Sequence, residues 1–290
     1  AVMVGTGPVF PNTRMNYMAA IVLGFIIPFS YLMVKRLVNN KIEPTDNIEK
    51  LTELPVMGKI LHNRHKSDNV MYEYPKSNIA ESYRALRTNI EYNFRNIPHK
   101  VIMVTSSMEG EGKSFTALNI AMSYAQLGFK TLLINFDLRK PAGYFSRQGG
   151  ETMIGLSSYF SDHVSLDEII LQSDHQMLHY IPAGPIPPNP VELITIGNTK
   201  ELINQLKEIY DCIVLDTTPL AQVSDAFLLM EYADLKIIVA RYNYTLKKVL
   251  ALVARDLKQK NINNLCLVLN DNRYYIDQYG YGYGYYKKRN

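Results

Sequence analysis

Tryptophan is absent from the 290 residues, and cysteine occurs only twice, as Cys212 and Cys266. Both thiols sit inside apolar runs (Asp211-Cys-Ile-Val-Leu and Leu265-Cys-Leu-Val-Leu), so they read as core residues and not as a disulfide or metal pair. Charge of one sign is lacking too. The 31 Lys and Arg against 27 Asp and Glu leave +4 on a chain that is 20% charged, which excludes a polybasic nucleic-acid arm and a disordered tail. No internal repeat offers a solenoid or array. What is present is a 47% hydrophobic chain, long enough for one large domain or two small ones, with 21 tyrosines that must be accommodated somewhere.

Residues 15–34, MNYMAAIVLGFIIPFSYLMV, carry no charge. At about 1.5 Å per residue they span about 30 Å, the hydrocarbon thickness of a bilayer, and predict a transmembrane helix. Pro28 would damage a soluble helix, and no Ala-x-Ala cleavage site follows to mark a signal peptide. Lys35, Arg36 and Lys41 follow the segment while only Arg14 precedes it, so the positive-inside rule puts the C-terminal side in the cytoplasm. Residues 1–14 read as an extracytoplasmic remnant and the chain as the C-terminal part of a longer protein. Residues 35–77 contain Pro44, Pro55, Pro75 and a His62–Lys66 basic patch, and are expected to form a juxtamembrane linker with little core. His62 and His65 lack further ligands at metal spacing and read as solvated.

From residue 78 the pattern becomes helical and then alternates. Short β-branched runs at Val101–Thr105, Thr131–Phe136, Cys212–Leu215, Ile237–Ala240 and Leu265–Leu269 are separated by stretches of helical spacing. That pattern predicts an α/β domain, a doubly wound and mostly parallel sheet with helices on both faces, over residues 78–273. The first run leads through Ser107-Met-Glu-Gly-Glu-Gly-Lys-Ser114 into a helical segment, the strand–loop–helix setting of a phosphate-binding loop. Small residues let the backbone approach phosphates, Lys113 would reach the β- and γ-phosphates, and Ser114 would ligate Mg²⁺. Ser107 stands where the simplest pattern has Gly. The run Cys212-Ile-Val-Leu-Asp216 ends in a carboxylate able to hold Mg²⁺ through water, and TLLINFDLRKP brings Asp137 and Arg139 to another strand end.

Residues 78–290 resemble the cytoplasmic kinase domain of the bacterial tyrosine kinases of capsular and exopolysaccharide export, and residues 1–77 resemble the second membrane helix and linker of their co-polymerase module. The resemblance rests on the Walker A loop at Ser107–Ser114, a Walker A′ segment Asn135-Phe-Asp137-Leu-Arg139 and the Walker B Asp216. It is strengthened by Ile181-Pro-Ala-Gly-Pro, Pro188-Asn-Pro-Val-Glu-Leu, Val223-Ser-Asp-Ala and Leu269-Asn-Asp271. It implies P-loop catalysis with ATP and Mg²⁺. Lys113, Asp137 and Arg139 would act at the transferring group, Ser114, Asp137 and Asp216 at the metal, and residues Ser107, Met108, Glu109, Gly110, Glu111, Gly112, Lys113, Ser114, Phe115 and Asn270 at the nucleotide. It also implies a ring-like homo-oligomer contacted through Glu81, Arg84 and Arg87, with the export machinery, a tyrosine phosphatase and the lipid bilayer as partners and no nucleic acid.

The tail completes the expectation. Tyr274, Tyr275, Tyr279, Tyr281, Tyr283, Tyr285 and Tyr286 stand among glycines and precede Lys287-Lys-Arg289, so residues 274–290 can hardly bury their rings. They match the family's tyrosine cluster, phosphorylated by neighbouring subunits. Each phosphate would add about −1.5 to −2 charges, so several would reverse the tail's basic sign. One position departs from the family: Asn135 stands where the proposed base is Asp, and an amide cannot accept a proton at neutral pH. Two other classes share the fold expectation. A MinD/ParA-type ATPase switch would carry a signature Lys where Met108 stands, and a non-catalytic scaffold controlling chain length would need no base at residue 135.

Overall fold

A computed structural model describes residues 13–38, 40–94, 97–140, 154–161, 164–196, 199–221 and 225–273. The chain divides into two units, Ala1–Asn40 and Lys41–Asn290. In the first, α1 (Thr13–Val38) is one continuous helix of 26 residues that contains Pro28. Among its described side chains Phe25, Ile27 and Phe29 are 76%, 65% and 69% exposed. Described side chains of α1 cover residues 14–30 and 33. Among the described residues no helix is long and apolar enough to cross a membrane.

The second unit runs α2 (Ile48–Thr52), β1 (Val56–Leu61), α3 (Val70–Glu73), α4 (Asn78–Asn93), β2 (Lys100–Ser106), α5 (Lys113–Ala125) and β3 (Thr131–Asn135). It continues through α6 (Leu156–Phe160), α7 (Leu166–Ile169), β4 (Leu171–Gln172), β5 (Leu178–Ile181), α8 (Pro190–Ile196), α9 (Thr199–Ile209) and β6 (Cys212–Asp216). After α10 (Asp225–Leu229) come β7 (Leu235–Arg241), α11 (Lys247–Gln259) and β8 (Leu265–Asn272). The strands form one sheet in the order β1-β8-β7-β2-β6-β3-β5-β4. Every pairing is parallel except β4 with β5 at one edge.

The five expected runs are all strands, and their pleat explains why they read as continuous apolar stretches. Val101 and Met103 enter the core on one face of the sheet while Ile102 and Val104 enter that on the other, so both faces need apolar side chains. Cys212 and Cys266 are buried free thiols within this core. On one face α5 is enclosed almost completely, from Thr116 to Ala125, its Ala117, Ala121 and Ala125 allowing close approach to the sheet.

Residues 41–77 depart from the expected linker. Ile42, Ile60, Val70 and Met71 are fully buried, and β1 is an edge strand paired with β8. The reason is that an edge strand covered on one side tolerates polar interruptions: Gly58 sits under α4, where an added Cβ would meet Leu86 Cδ1 at 3.0 Å. The second compact unit begins at Lys41. His62 is likewise not a solvated linker residue, because its Nδ1 lies 2.5 Å from Asp271 Oδ1.

Candidate functional site

Parallel strands in an open sheet present their C-terminal ends to one crevice, and there the site assembles. β2 ends at Ser106, β3 at Asn135 and β6 at Asp216, with Asn135 and Asp216 in register across β3 and β6. The loop after β2 turns into α5 through Gly110 and Gly112, both in the left-handed region at φ +82° and +93°. A Cβ on Gly112 would stand 2.2 Å from Asn270 Nδ2, and one on Gly110 2.6 Å from the Tyr244 hydroxyl. Gly112→Ala is therefore expected to lower stability by about 1–3 kcal/mol and to abolish nucleotide affinity, read by thermal unfolding and by titration with a fluorescent nucleotide.

At the head of α5 stands a triad of charges. Lys113 Nζ lies 2.9 Å from Asp137 Oδ2 and 3.5 Å from Asp216 Oδ1. The Ser114 hydroxyl donates to Asp216 Oδ2 at 2.6 Å. Asp137 and Asp216 are 4% and 0% exposed, so these carboxylates face the lysine out of water. Burial alone would lower the Lys113 pKa, but Asp216 and then Asp137 outweigh it and hold the ammonium above its ordinary value. Asn135 is fully buried, and its Oδ1 accepts from the Asp137 backbone N–H at 3.0 Å. The amide thus braces the Walker A′ turn. Lys140 N–H donates to Asp137 Oδ1 at 3.0 Å, and its ammonium pairs with Glu109; Arg139 is exposed beside it.

Glu111 has a role the sequence did not reveal. Its carboxylate is fully buried and accepts from Ser107 Oγ at 2.7 Å, from Met108 N–H at 2.7 Å and from the Thr245 hydroxyl. Burial pushes its pKa up, and these hydrogen bonds recover only part of the shift. The loop is folded around this side chain, so Ser107 at the usual glycine position serves as a donor. Glu111→Ala strands two buried hydroxyls and the part-buried Met108 N–H, and is expected to lower stability by about 3 kcal/mol and raise the nucleotide KM at least about tenfold. Glu111→Gln is expected to fold normally, because an amide oxygen can face Met108 N–H while its NH₂ faces the two hydroxyls. Since the native fold raises the Glu111 pKa, ionisation opposes folding. Stability falls as pH rises from the ordinary carboxylate range to the raised value, and Glu111→Gln removes that slope in denaturant titrations.

The β7–α11 turn and the end of β8 brace the same loop. Tyr244 donates its hydroxyl to Glu109 O at 3.0 Å, Arg241 Nη1 reaches Gly110 O at 3.3 Å, and Asn270 Nδ2 donates to Glu111 O at 2.9 Å. Arg241 is fixed by Asp271 through Nε at 3.0 Å and Nη2 at 2.9 Å. Burial would raise the Asp271 pKa, but Arg241 and His62 together hold it below the ordinary range. Thus Asn270 does lie against the loop, while Arg241, Tyr244 and Thr245 went unrecognised because nothing in their spacing ties them to residues more than a hundred positions earlier. Met108, Glu109 and Phe115 also stand on the loop and first turn. Elsewhere on the unit, Glu81 and Arg84 pair on an exposed part of α4 at 2.8 Å, whereas Arg87 turns inward and donates to Ser123 O at 2.6 Å. The tail tyrosines lie outside the described residues.

A phosphate-loop α/β fold with a lysine between two strand-end carboxylates defines the nucleotide-using P-loop class. The AAA domain family matches residues 99–265. The tyrosine-protein kinase CpsD of Streptococcus agalactiae is 34% identical over 211 residues, covering 72% of this chain and 90% of that protein. The tyrosine-protein kinase YwqD of Bacillus subtilis strain 168 is 36% identical over 215 residues, covering 73% and 88%. The kinase domain of the Escherichia coli tyrosine kinase ETK superposes with a TM-score of 0.73 at 26% identity, over 84% of this chain and all of that one. The chain belongs to the bacterial tyrosine-protein kinase family, carries its kinase domain and is an enzyme of that class.

Proposed function

We propose that this chain is a membrane-anchored, ATP- and Mg²⁺-dependent tyrosine kinase that phosphorylates the tail tyrosines Tyr274–Tyr286 of neighbouring subunits in a ring-like homo-oligomer, and so regulates extracellular polysaccharide polymerisation and export. The observation that carries it is the Lys113 ammonium set between buried Asp137 and Asp216, with the Ser114 hydroxyl on the same Asp216. The residues fit a metal–nucleotide: the glycine loop leaves backbone free of Cβ atoms, the head of α5 offers N–H groups, and three hard oxygen donors converge. ATP·Mg²⁺, when bound, would supply the transferable phosphoryl group and the divalent charge. Ser114, Asp137 and Asp216 would hold the metal, Lys113 would carry its charge to the phosphates, and exposed Arg139 would stand at the rim. Asn135 cannot take the acceptor's proton, so the chain relies on positioning and electrostatics, which supply most of the rate in this class of reaction.

The anchor reading is supported by the uncharged segment 15–34, the exposed apolar side chains described on α1 and the basic residues that follow it. The exposed Glu81–Arg84 pair supports a subunit contact on α4, with Arg87 shaping that surface from beneath. The test mixes a Lys113→Met chain that keeps its tail with an unmutated chain cut after Arg273. Phosphate on the tail of the mutated chain supports transfer between subunits. No phosphate there, although the uncut chain labels itself, contradicts it. Failure of every chain to label supports the scaffold reading that Asn135 favours.

A further inference from the structure

The outer stripe of α11 has no role in the site. Leu250, Val253, Ala254 and Leu257 bury one face of the helix, and Lys248, Leu252, Arg255 and Gln259 recur at helical spacing along the opposite, exposed face. Leu252 is 61% exposed and faces, across a groove of about 430 Å³, the 38% exposed Leu51 of α2. Lys248 and Arg255 line this groove without an acidic partner among the described residues. The acidic groups nearby are engaged: Glu53 pairs with Lys258 at 2.5 Å, Asp256 with Lys260 at 2.5 Å, and Glu49 accepts from Val56 N–H at 2.9 Å. Lys50 adds another exposed cation on α2. Two leucines rimmed by unpaired cations match the chemistry of an anionic lipid surface, where acyl chains take the apolar groups and phosphates the cations.

A second observation concerns chain path. Lys41 bridges to Leu246, the residue that caps the start of α11, and follows the last residue of α1 by three positions, a reach of about 11 Å when fully extended. Few residues of chain separate the start of this basic stripe from α1, and a lipid surface that holds α1 is by that covalent connection presented to the stripe at a raised effective concentration. We infer that the α2–α11 groove, through Lys248, Arg255, Leu51 and Leu252, docks the kinase domain on an anionic phospholipid surface. This rests on the membrane-anchor reading above. Docking by one face fixes which way the domain stands at the bilayer, a constraint a single flexible tether does not supply.

The experiment uses the full chain with Leu252→Cys carrying an environment-sensitive fluorophore, since both native thiols are buried. It is reconstituted into vesicles of phosphatidylcholine alone, or of phosphatidylcholine with phosphatidylglycerol, each with brominated acyl chains as quencher. Incorporation is scored separately by retention through an alkaline wash. The expected result is retention in both vesicles, with quenching about twofold stronger in the anionic ones, reversed by high salt and lost in Lys248→Glu/Arg255→Glu. Retention with equal, weak quenching in both overturns the docking surface and leaves the anchor standing. Loss in the wash overturns both. Shielding of the label that tracks protein density and ignores lipid charge assigns the groove to a second copy of the chain and also overturns the proposal.

Discussion

Lys113→Met is expected to reduce tyrosine phosphate incorporation by at least about a hundredfold and to destabilise the nucleotide-free protein by about 3–5 kcal/mol. The second effect is the less obvious. A lysine of a phosphate loop is ordinarily considered for its action on phosphates, yet here its ammonium lies 2.9 Å from Asp137 and 3.5 Å from Asp216, at sites where water scarcely reaches. Removing it leaves two buried carboxylates facing each other without a counter-charge. The raised lysine pKa gives the pH sign. The stabilisation is complete below the ordinary lysine value and disappears as pH rises through the higher folded value, so the wild-type advantage over the variant should vanish only in strong alkali. Chemical denaturation of both chains across pH measures it, and Lys113→Arg separates charge from shape, since a planar guanidinium cannot replace a point charge between these oxygens. Equal stability of Lys113→Met and the parent at neutral pH would show that the ion pairs are not formed in solution.

Asn135→Asp is the second large effect, and its two consequences have opposite sign. Asn135 is fully buried, paired in register with Asp216 and bonded to the backbone of Asp137, so the substitution brings a third carboxylate among two. Like-charge crowding and burial should lower the stability of the nucleotide-free protein by about 1–3 kcal/mol, with part of the loss recovered by Mg²⁺ and nucleotide. At the same time a carboxylate can take the phenolic proton that the amide cannot. A positioned base contributes about 10²–10⁴ in rate, and a gain of at least about tenfold in initial transfer rate is expected. Rapid-quench measurement of tail phosphorylation reads the rate, and thermal unfolding with and without Mg²⁺ reads the stability. A destabilised variant with an unchanged rate would mean that residue 135 serves the Walker A′ turn alone, by bracing Asp137.

How much of this was legible beforehand follows from what periodicity can and cannot record. The strands of the sheet interior announced themselves because both of their faces are covered, as Val101–Val104 illustrates. β1 did not, since Gly58 and Lys59 interrupt its apolar run and an edge strand tolerates such interruptions; a segment that read as linker is in fact an integral edge of the domain. β5 escaped for a similar reason, with His179 in the middle of Leu178–Ile181. In the candidate site, Lys113 and Ser114 stood out by local spacing, and Asp137 and Asp216 by their places just past the end of β3 and at the end of β6. The Glu111–Thr245 contact joins residues brought together only by the parallel order β8-β7-β2, which no local pattern encodes. Arg87, placed by spacing on the same charged face as Glu81 and Arg84, is diverted by a carbonyl at the end of α5. Helical spacing fixes the direction of the Cβ and leaves the reach of a long side chain undetermined.

Tail phosphorylation is the central claim, and mass spectrometry of the intact chain tests it most directly. The protein is stripped with a tyrosine phosphatase, freed of that enzyme, and incubated with ATP and Mg²⁺ beside Lys113→Met. The account predicts that phosphate returns to tyrosines between Tyr274 and Tyr286 in the parent chain alone. Nucleotide binding without any phosphotyrosine in that segment would contradict it.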